Sequence, residues 1–323
     1  MSHILVTGAA GFIAARTCEI LLGDGHTVAG IDNLNDYYDV RLKQHRLARL
    51  RESPGFSFRQ ADIENASALD EALNERRPDA IVNLAARAGV RPSIEQPEPY
   101  VATNILGTLR ILEAMRRHGV KKLVLASSSS LYAGQPMPFL ETLPVNSPRS
   151  PYAATKKAAE MLATSYHHLQ GIDCSILRYF TVYGPAGRPD MAVLRFCRLI
   201  DEGQPLEILG DGSQARDFTF IDDIARGTIA ALRPVGLEII NLGGGRNPVT
   251  LTDVVARLEA LLGRKAIMEC RPFHPADLHA TWADIDKARM ILDWQPTVGL
   301  DEGLQRTVEW YQANRDFVRS LKM

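Results

Sequence analysis

The feature that most constrains the fold is a glycine turn between a short apolar run and a helical pattern. Residues 4–6 form the apolar run, and Gly8 and Gly11 lie in the turn that follows. After the helical pattern, a second apolar run at 27–31 ends at Asp32, about 20 residues beyond the glycines. This order of strand, glycine turn, helix and strand is typical of a parallel βαβ unit that binds a dinucleotide.

The glycines and the acid have separate physical uses. Glycine lets the backbone of the turn approach a pyrophosphate at the N-terminus of the helix. The Asp32 carboxylate would bind the hydroxyl groups of the adenosine ribose and would repel a 2′-phosphate. In the spacing Gly8-x-x-Gly11-x-x-Ala14, alanine takes the place of a third glycine, where only a small side chain is needed. The pattern therefore predicts NAD rather than NADP as the cofactor.

Apolar runs and helical patterns continue to alternate along the first 180 residues. They lie at 57–61, 66–76, 80–84, 101–118, 122–127 and 174–177. Such alternation predicts an α/β fold with a doubly wound parallel sheet of the Rossmann type, covered by helices on both faces. In these sheets ligands bind at the carboxyl ends of the strands, so polar residues there are the candidates for a site.

The composition of the chain changes after residue 180, where glycine and proline become frequent. We predict an NAD-binding Rossmann domain at 1–180, to which a segment near 219–248 returns. Residues 181–323 are predicted to form a smaller α/β domain. Helical patterns at 252–262 and 301–314 have apolar residues at three- and four-residue spacing, which is typical of packing faces.

The composition excludes several classes of protein. The 323 residues include 37 Lys and Arg against 38 Asp and Glu, so no overall basic field attracts nucleic acid or an acidic membrane. The four cysteines contain no CxxC pair, which predicts neither a metal site nor a disulfide framework and favours a reducing compartment, the cytoplasm. No segment has the length and apolar character of a membrane span.

Tyr152 and Lys156 form a candidate catalytic pair. Residues four apart share one face of a helix, and Pro151 suits the first turn of such a helix. A tyrosine with a pKa near ~10 needs a shift of about 3 units to act as a base near neutrality, and a neighbouring ammonium shifts the pKa in that direction. The same spacing is also typical of solvated neighbours on a surface helix, so the pair alone does not assign a function.

Six motifs in a fixed order connect these features to a known family. They are Thr7-Gly8-x-x-Gly11-x-x-Ala14, Asp62-Ile63, Asn104-x-x-Gly107-Thr108, Ser127-Ser128-Ser129-Ser130-Leu131-Tyr132, Tyr152-x-x-x-Lys156 and Arg216-Asp217-Phe218. The set resembles the extended short-chain dehydrogenase/reductase superfamily, in its nucleotide-sugar epimerase and dehydratase branch. Within that branch, the stretches 32–39, 88–91 and 181–191 are most similar to those of UDP-glucuronate 4-epimerases.

The resemblance implies a reaction and the residues that perform it. The configuration at C4 of a UDP-sugar would be inverted by way of a transient 4-keto intermediate, with NAD recycled in place. Tyr152 would act as base and acid, and Ser128 would donate a hydrogen bond to the C4 oxygen, a role that Ser130 could share. Lys156 would bind the nicotinamide ribose.

The resemblance also implies two sets of binding residues. Those for the cofactor are Gly8, Gly11, Phe12, Ile13, Asp32, Asn33, Asp62, Ile63, Leu84, Ala85, Ala86, Asn104, Lys156 and Tyr179. Those for the UDP-sugar are Arg91, Ser129, Ser130, Thr181, Arg188, Leu209, Arg216 and Asp277. In the second set, Arg216 would meet the diphosphate, Leu209 the uracil and Asp277 the uridine ribose. Ser129, Thr181 and Arg188 would hold the carboxylate of the sugar.

Other activities stay open at this point. They are 4-epimerisation of UDP-glucose or UDP-N-acetylglucosamine, decarboxylation of UDP-glucuronate, and NAD binding by a non-catalytic regulator. Decarboxylases of this kind carry Glu where Ser130 stands, and Arg87 replaces a residue that is commonly uncharged, which leaves the charge near the substrate open. Helices that begin near Asn104 and Tyr152 resemble those that pair two subunits in this superfamily, which implies a homodimer.

Overall fold

The computed structural model describes residues 1–245, 248–273 and 277–322. In chain order the strands are β1 (His3–Thr7), β2 (Thr27–Asp32), β3 (Phe56–Gln60), β4 (Ala80–Asn83), β5 (Lys122–Ser128), β6 (Asp173–Tyr179), β7 (Thr181–Tyr183), β8 (Pro205–Leu209), β9 (Ala215–Arg216), β10 (Phe218–Phe220), β11 (Leu237–Leu242), β12 (Val249–Thr250) and β13 (Ile267–Arg271).

The helices are α1 (Phe12–Gly23), α2 (Val40–Arg51), α3 (Ala66–Glu75), α4 (Val90–Glu95), α5 (Glu98–Tyr100), α6 (Thr108–His118), α7 (Pro151–Gln170), α8 (Ala192–Glu202), α9 (Ile221–Ala230), α10 (Leu251–Leu262), α11 (Asp286–Leu292), α12 (Leu300–Ala313) and α13 (Arg315–Ser320). A π-helical segment, Val101–Gly107, precedes α6, and a 3₁₀ turn, Ser129–Tyr132, follows β5. Among the described residues, no helix has the length and apolar character needed to cross a membrane.

Within the described part of the chain, seven strands form one parallel sheet in the order β11-β6-β5-β4-β1-β2-β3. Strand β1 pairs on one side with β2 and on the other with β4, with Leu5 opposite both Ala29 and Ile81. The chain therefore moves outward from β1 in one direction through β2 and β3, then crosses back and moves in the other direction from β4. This arrangement confirms the predicted doubly wound α/β sheet, with its switch point between β1 and β4.

Both faces of the sheet are buried, because alternate residues of each strand point to opposite sides. On one face, Leu5 and Leu123 belong to an apolar cluster that includes residues of α3, α6 and α7. On the other, Val6 and Val124 belong to a second cluster that includes residues of α1 and α9. The helices consequently leave the two edges and the strand ends as the places where a ligand can approach.

The chain after β6 contributes both to the main sheet and to smaller pairings. Strand β11 returns to the main sheet and pairs with β6 along its whole length. Strand β7 pairs in parallel with β10, β8 in parallel with β13, and β9 antiparallel with β12. The division into domains at residue 180, with a returning segment near 219–248, stays a prediction.

Two local structures differ from the sequence-based prediction. The helix expected at 101–118 is divided, because its first part, 101–107, is π-helical and only 108–118 is α-helical. No helix is predicted at 40–51, where α2 begins after Asp39, whose side chain accepts a hydrogen bond from the Arg41 amide. The buried face of α2 includes the cations Lys43 and Arg46, so the apolar pattern that indicates a helix is interrupted.

A buried ion pair joins α7 to the sheet. Glu160 and Arg178 are each 1% exposed, and the guanidinium meets the carboxylate with Nε to Oε1 at 2.9 Å and Nη2 to Oε2 at 2.8 Å. Ser127 in β5 donates to the same carboxylate at 2.7 Å, and Arg178 Nη1 donates to the Tyr132 hydroxyl at 2.8 Å. The charges are thus matched and hydrogen-bonded, which is the condition for burying them.

We expect Arg178→Met to lower the free energy of unfolding in urea by about 3 to 5 kcal/mol, because the buried Glu160 carboxylate would lose both bonds from the guanidinium and keep only Lys157, at 3.6 Å, as a cationic neighbour. The double variant with Glu160→Met should lose less than the sum of the single variants, since both charges are then gone. Arg117→Met is the control, because its ion pair with Asp70 is exposed and should contribute less than about 1 kcal/mol. Equal losses for Arg178→Met and the control would contradict the importance of the buried pair.

Candidate active site

The glycine turn lies at the switch point of the sheet. Gly8 has φ +68°, and a Cβ at this position would lie 2.9 Å from the backbone of Ala85 in the loop after β4. The Gly11 amide closes the turn by donating to the Gly8 carbonyl at 2.7 Å. Helix α1 begins at Phe12 without a side-chain cap from Gly11, so its first N–H groups can bind an anion. The turn therefore fits the phosphates of a dinucleotide.

Asp32 stands at the carboxyl end of β2, beside this turn. Its two oxygens accept from the amides of Ala10, at 3.1 Å, and Leu34, at 2.8 Å. The neighbouring Asn33 donates to Asp62 at 2.8 Å and so joins the ends of β2 and β3. Of the other predicted cofactor residues in this region, Phe12 and Ile63 are buried in the apolar clusters and Ile13 is half-buried.

A buried lysine that the sequence patterns did not indicate lies near Asp32. Lys43 is 5% exposed, and its ammonium donates to the main-chain oxygen of Asn35 at 2.8 Å and to the Asn35 side chain at 3.0 Å. Burial lowers the pKa of Lys43, and the nearby Asp32 carboxylate acts in the opposite direction. The end of β2 thus has a buried cation beside it as well as an acid. No local pattern indicates this, because Lys43 belongs to the following helix, α2.

The loop after β4 is held by two polar side chains. The Thr7 hydroxyl accepts from the Ala85 amide at 3.2 Å. Asn104, in the π-helical segment, accepts from the Arg87 amide at 2.9 Å and donates to the Arg87 carbonyl at 3.0 Å. Asn104 also donates to Thr155 in α7 at 3.0 Å. The structure thus brings Leu84, Ala85, Ala86 and Asn104 together between the glycine turn and α7.

Ser128, Tyr152 and Lys156 come from the ends of β5 and α7. The Ser150 hydroxyl caps α7 by accepting from the Ala153 amide at 3.2 Å, which places Tyr152 in the first turn. The Tyr152 hydroxyl forms a hydrogen bond with Ser128, while Lys156 donates to the Ala126 carbonyl at 3.0 Å. Ser129 and Ser130 are half-buried in the 3₁₀ turn, and the Ser130 amide donates to the Ser128 hydroxyl at 3.2 Å.

Burial and nearby charges act in opposite directions on the Tyr152 hydroxyl. Burial raises the pKa of Tyr152, and its hydrogen bond to Ser128 and the positive charge of Arg188 act in the opposite direction. Lys156 is itself buried, which lowers its pKa to about 8. In this structure Lys156 is bonded to the Ala126 carbonyl and the cation acting on Tyr152 is Arg188, so the effect of the Lys156 ammonium on the phenol stays a prediction.

Arg188 lies in the loop after β7, close to Tyr152. It is 19% exposed, and its Nε and Nη2 donate to the two oxygens of Asp190 at 3.0 Å and 2.5 Å. Its guanidinium carbon is 5.5 Å from the centroid of the Tyr37 ring. Thr181 and Phe12 line a small cavity with Arg188. The Arg188 guanidinium is thus largely buried and already holds one carboxylate, that of Asp190, through two N–H groups.

Tyr37 is a second residue that sequence analysis missed as part of the site. Its hydroxyl donates to the Ala88 carbonyl at 2.6 Å, which ties the loop after β2 to the loop after β4. The guanidinium carbon of Arg87 lies 5.6 Å from the Tyr37 ring centroid, so Arg87 and Arg188 both contact this ring. The replacement at Arg87 therefore adds positive charge next to Arg188.

The remaining predicted substrate residues form a second group at a different place. Arg91 Nη2 donates to Asp277 Oδ2 at 2.7 Å, and both residues affect the pKa of Arg216, which burial lowers. Leu209 ends β8, and beyond it the rings of Phe273 and His279 are stacked with centroids 4.2 Å apart. This group combines cations, an acid and flat rings, which are the components that bind a nucleoside diphosphate.

Tyr179 is the predicted cofactor residue whose side chain is least suited to its role. Its hydroxyl is hydrogen-bonded to Thr228 at 2.8 Å in the core, and burial raises its pKa above the usual range of a phenol. Strand alternation places the phenol on the face of the sheet that α9 covers, where Thr228 lies. The role of Tyr179 beside the cofactor stays a prediction.

Comparison with known proteins places this geometry in a family. A model of the NAD dependent epimerase/dehydratase family matches residues 4–243. A UDP-glucuronate 4-epimerase of Thermodesulfobacterium geofontis is 56% identical over 323 residues, covering 100% of both chains.

Solved structures agree with this match. The UDP-glucuronic acid 4-epimerase of Bacillus cereus, solved with UDP-glucuronic acid and NAD, has a TM-score of 0.90 and 39% identity over 96% of this chain and 99% of its own. A UDP-glucose 4-epimerase of Thermotoga maritima, solved with UDP-glucose, has a TM-score of 0.88 and 31% identity over 97% and 99%. The chain therefore belongs to the NAD dependent epimerase/dehydratase family.

Proposed function

We propose that this protein is an NAD-dependent 4-epimerase that interconverts UDP-glucuronate and UDP-galacturonate. The position of Arg188 carries the proposal. Its positive charge acts to lower the pKa of the Tyr152 hydroxyl, and its guanidinium has the paired N–H groups that bind a carboxylate. An acid–base residue next to a carboxylate-binding cation suits a sugar that carries a carboxylate beside the reacting carbon. Similarity to UDP-glucuronate 4-epimerases over the whole chain supports it.

The residues around the switch point fit NAD. The turn at Gly8 and Gly11 has no room for side chains and presents the first N–H groups of α1 to a diphosphate. Asp32 would accept from the hydroxyl groups of the adenosine ribose, and Lys156 would hold the nicotinamide ribose. When bound, NAD supplies a reversible acceptor for the hydrogen of C4. Release of NADP rather than NAD from the denatured protein would contradict the role of Asp32.

The chain's own residues would move one proton and hold one oxygen. Tyr152 removes the proton of the C4 hydroxyl as the 4-ketone forms, and it returns the proton when the alcohol is restored. Ser128, hydrogen-bonded to Tyr152, donates to the C4 oxygen in both directions. Inversion requires the ketone to present its other face between the two steps, so the sugar must turn while the nucleotide stays bound.

Arg91, Leu209, Arg216 and Asp277 would keep the nucleotide bound during that turn. The Arg216 guanidinium would pair with the diphosphate, which suits a half-buried cation. Leu209 would pack on uracil, and Asp277 would accept from the ribose hydroxyls after exchange of its bond with Arg91. The second group of predicted residues thereby anchors the half of the substrate that does not react.

The carboxylate at C5 creates a hazard that the site must control. In the 4-keto intermediate the carboxylate lies β to the carbonyl. If the bond from C5 to the carboxyl carbon aligns with the carbonyl π system, that bond breaks and its electron pair forms an enolate. Carbon dioxide leaves, and a proton then adds at C5. Arg188, with Ser129 and Thr181, would hold the carboxylate out of this alignment, exchanging Asp190 for the carboxylate of the sugar.

One assay tests the proposal against its alternatives. Purified protein is incubated in turn with UDP-glucuronate, UDP-glucose and UDP-N-acetylglucosamine, and products are followed by proton NMR. We expect UDP-galacturonate from the first and little product from the others. A pentose product from UDP-glucuronate would indicate a decarboxylase, and faster conversion of a neutral sugar would indicate a hexose epimerase.

We also propose a homodimer that forms in the cytoplasm through the helices on one side of the sheet. Val101 and Leu106 in the π-helical segment are exposed, as are Met161 and Leu169 on α7, and these apolar side chains would be covered by a second copy. A monomer in analytical ultracentrifugation at micromolar concentration would contradict the pairing.

We also propose the two-domain division at residue 180, with nucleotide-sugar binding assigned to 181–323.

We expect Tyr152→Phe to reduce turnover of UDP-glucuronate by at least about 10²-fold, the usual contribution of a positioned acid–base group. The variant should still contain NAD, because the phenol hydroxyl is bonded to Ser128 and does not support the cofactor turn. Turnover and cofactor content are measured on the same preparation. Turnover near that of the wild type would remove Tyr152 from the mechanism.

We expect Arg188→Ala to weaken epimerisation of UDP-glucuronate by roughly 10- to 100-fold, since charge-assisted bonds contribute about 1.5 to 3 kcal/mol. Any activity on UDP-glucose should change little. The ratio of decarboxylated product to epimer should rise, because the carboxylate can then reach the alignment for loss of carbon dioxide. Arg188→Lys should restore charge without the fork and give an intermediate ratio. Equal losses of activity on both sugars would indicate that Arg188 binds the diphosphate or supports the fold.

A further inference from the structure

Arg46 on α2 is a buried cation that the reaction described above does not use. It is 3% exposed, and its guanidinium donates to uncharged oxygens, with no carboxylate in an ion pair with it among the described residues. A desolvated cation without a counter-charge is costly unless its donors are satisfied by well-placed acceptors. The identity of those acceptors therefore indicates what Arg46 is for.

The acceptors belong to the glycine turn, to the loop that carries Arg188 and to the loop before α2. Arg46 Nη1 donates to the Ala10 carbonyl in the glycine turn at 3.1 Å and to the Tyr38 hydroxyl at 2.7 Å. Its Nε and Nη2 donate to the Ala186 carbonyl at 3.0 Å and 2.7 Å, and Nη2 also reaches the Gly187 carbonyl at 3.2 Å. One planar guanidinium thus joins the cofactor turn to the loop that carries Arg188.

The Ala186 backbone explains why the loop needs this support. Ala186 has φ +53°, a left-handed conformation that is unfavourable for a residue with a Cβ. Such a conformation persists only where surrounding contacts impose it. The bonds from Arg46 to the Ala186 carbonyl are contacts of that kind, and the strained residue lies two positions before Arg188. Without them the loop would relax, and the fork of Arg188 would change direction.

We propose that Arg46 is a positioning residue that aims Arg188 at the sugar carboxylate by fixing its loop to the glycine turn. This inference rests on the proposed epimerase function and deepens it. Arg46 itself touches neither the reacting atoms nor the sugar. Arg46 thus fixes the loop that prevents decarboxylation to the turn that binds the cofactor. The carboxylate is therefore held at a fixed position relative to the reacting carbon.

The test uses Arg46→Met, which keeps much of the volume of the side chain and removes its five hydrogen bonds. We expect kcat/KM for UDP-glucuronate to fall by roughly 10-fold or more, as for a misplaced binding group. The ratio of decarboxylated product to epimer should rise, as it should for Arg188→Ala. NAD content, measured on the denatured protein, should stay that of the wild type. Arg46→Lys, which keeps the charge but not the fork, should raise the ratio less.

The control is Arg198→Met. Arg198 also holds remote carbonyls, those of Val318 and Leu321 at 3.2 Å and 2.8 Å, but it lies on α8 and ties down the C-terminal segment. We expect this variant to keep the wild-type product ratio. A reduced rate with an unchanged ratio for Arg46→Met would show a purely structural role and overturn the proposal.

Two further outcomes are also decisive. If Arg46→Met does not fold, judged by loss of cooperative thermal unfolding, the product ratio of Arg46→Lys decides, and a ratio equal to that of the wild type overturns the proposal. If the wild-type protein itself fails to epimerise UDP-glucuronate, that result contradicts the proposed function itself, and Arg188 then has no sugar carboxylate to bind.

Discussion

The catalytic half of this structure depends on the buried ion pair between Glu160 and Arg178. Glu160 lies one helical turn beyond Lys156 on α7, and Arg178 is in the penultimate position of β6. The pair fixes the rotation and height of α7 against the sheet, and Ser127 adds a hydrogen bond from the strand that ends in Ser128. A buried ion pair adds little net stability, but an arrangement of α7 that separated Glu160 from Arg178 would bury charge without its main partner. The observed arrangement brings the Tyr152 hydroxyl to Ser128.

The switch point of the sheet assembles the rest of the site from distant segments. Strands β1 and β4 are neighbours in space, so the glycine turn after β1 meets the loop after β4. Gly8 allows the close approach, and Asn104 holds the second loop with both ends of its amide. The first contact requires a residue without a side chain at Gly8. The second requires a side chain that both donates and accepts hydrogen bonds, as the amide of Asn104 does.

Charge is concentrated at this site although the whole chain is nearly neutral, with a net charge of -1. Cations contact the rings of the adjacent Tyr37 and Tyr38, where Arg87 and Arg188 lie by the first ring and Lys43 and Arg46 by the second. Tyrosine faces attract cations without neutralising them, so the positive potential is retained for an anionic ligand. Asp190 occupies the fork of Arg188, and its carboxylate is the same chemical group that the substrate would bring.

The amino-acid sequence by itself determined the α/β class, the strand order of the first βαβ unit and the identity of most polar residues at the strand ends. These features depend on local periodicity and on short motifs, which are readable along the chain. Tertiary structure decided which cation faces Tyr152, where the phenol of Tyr179 points and what Arg46 holds. Those outcomes depend on burial and on contacts between segments up to 141 residues apart, as between Arg46 and Gly187, and no local pattern records them. Helix α2 is the clearest case, because its buried face uses cations where periodicity would predict apolar residues, and only the loops packed against it explain why.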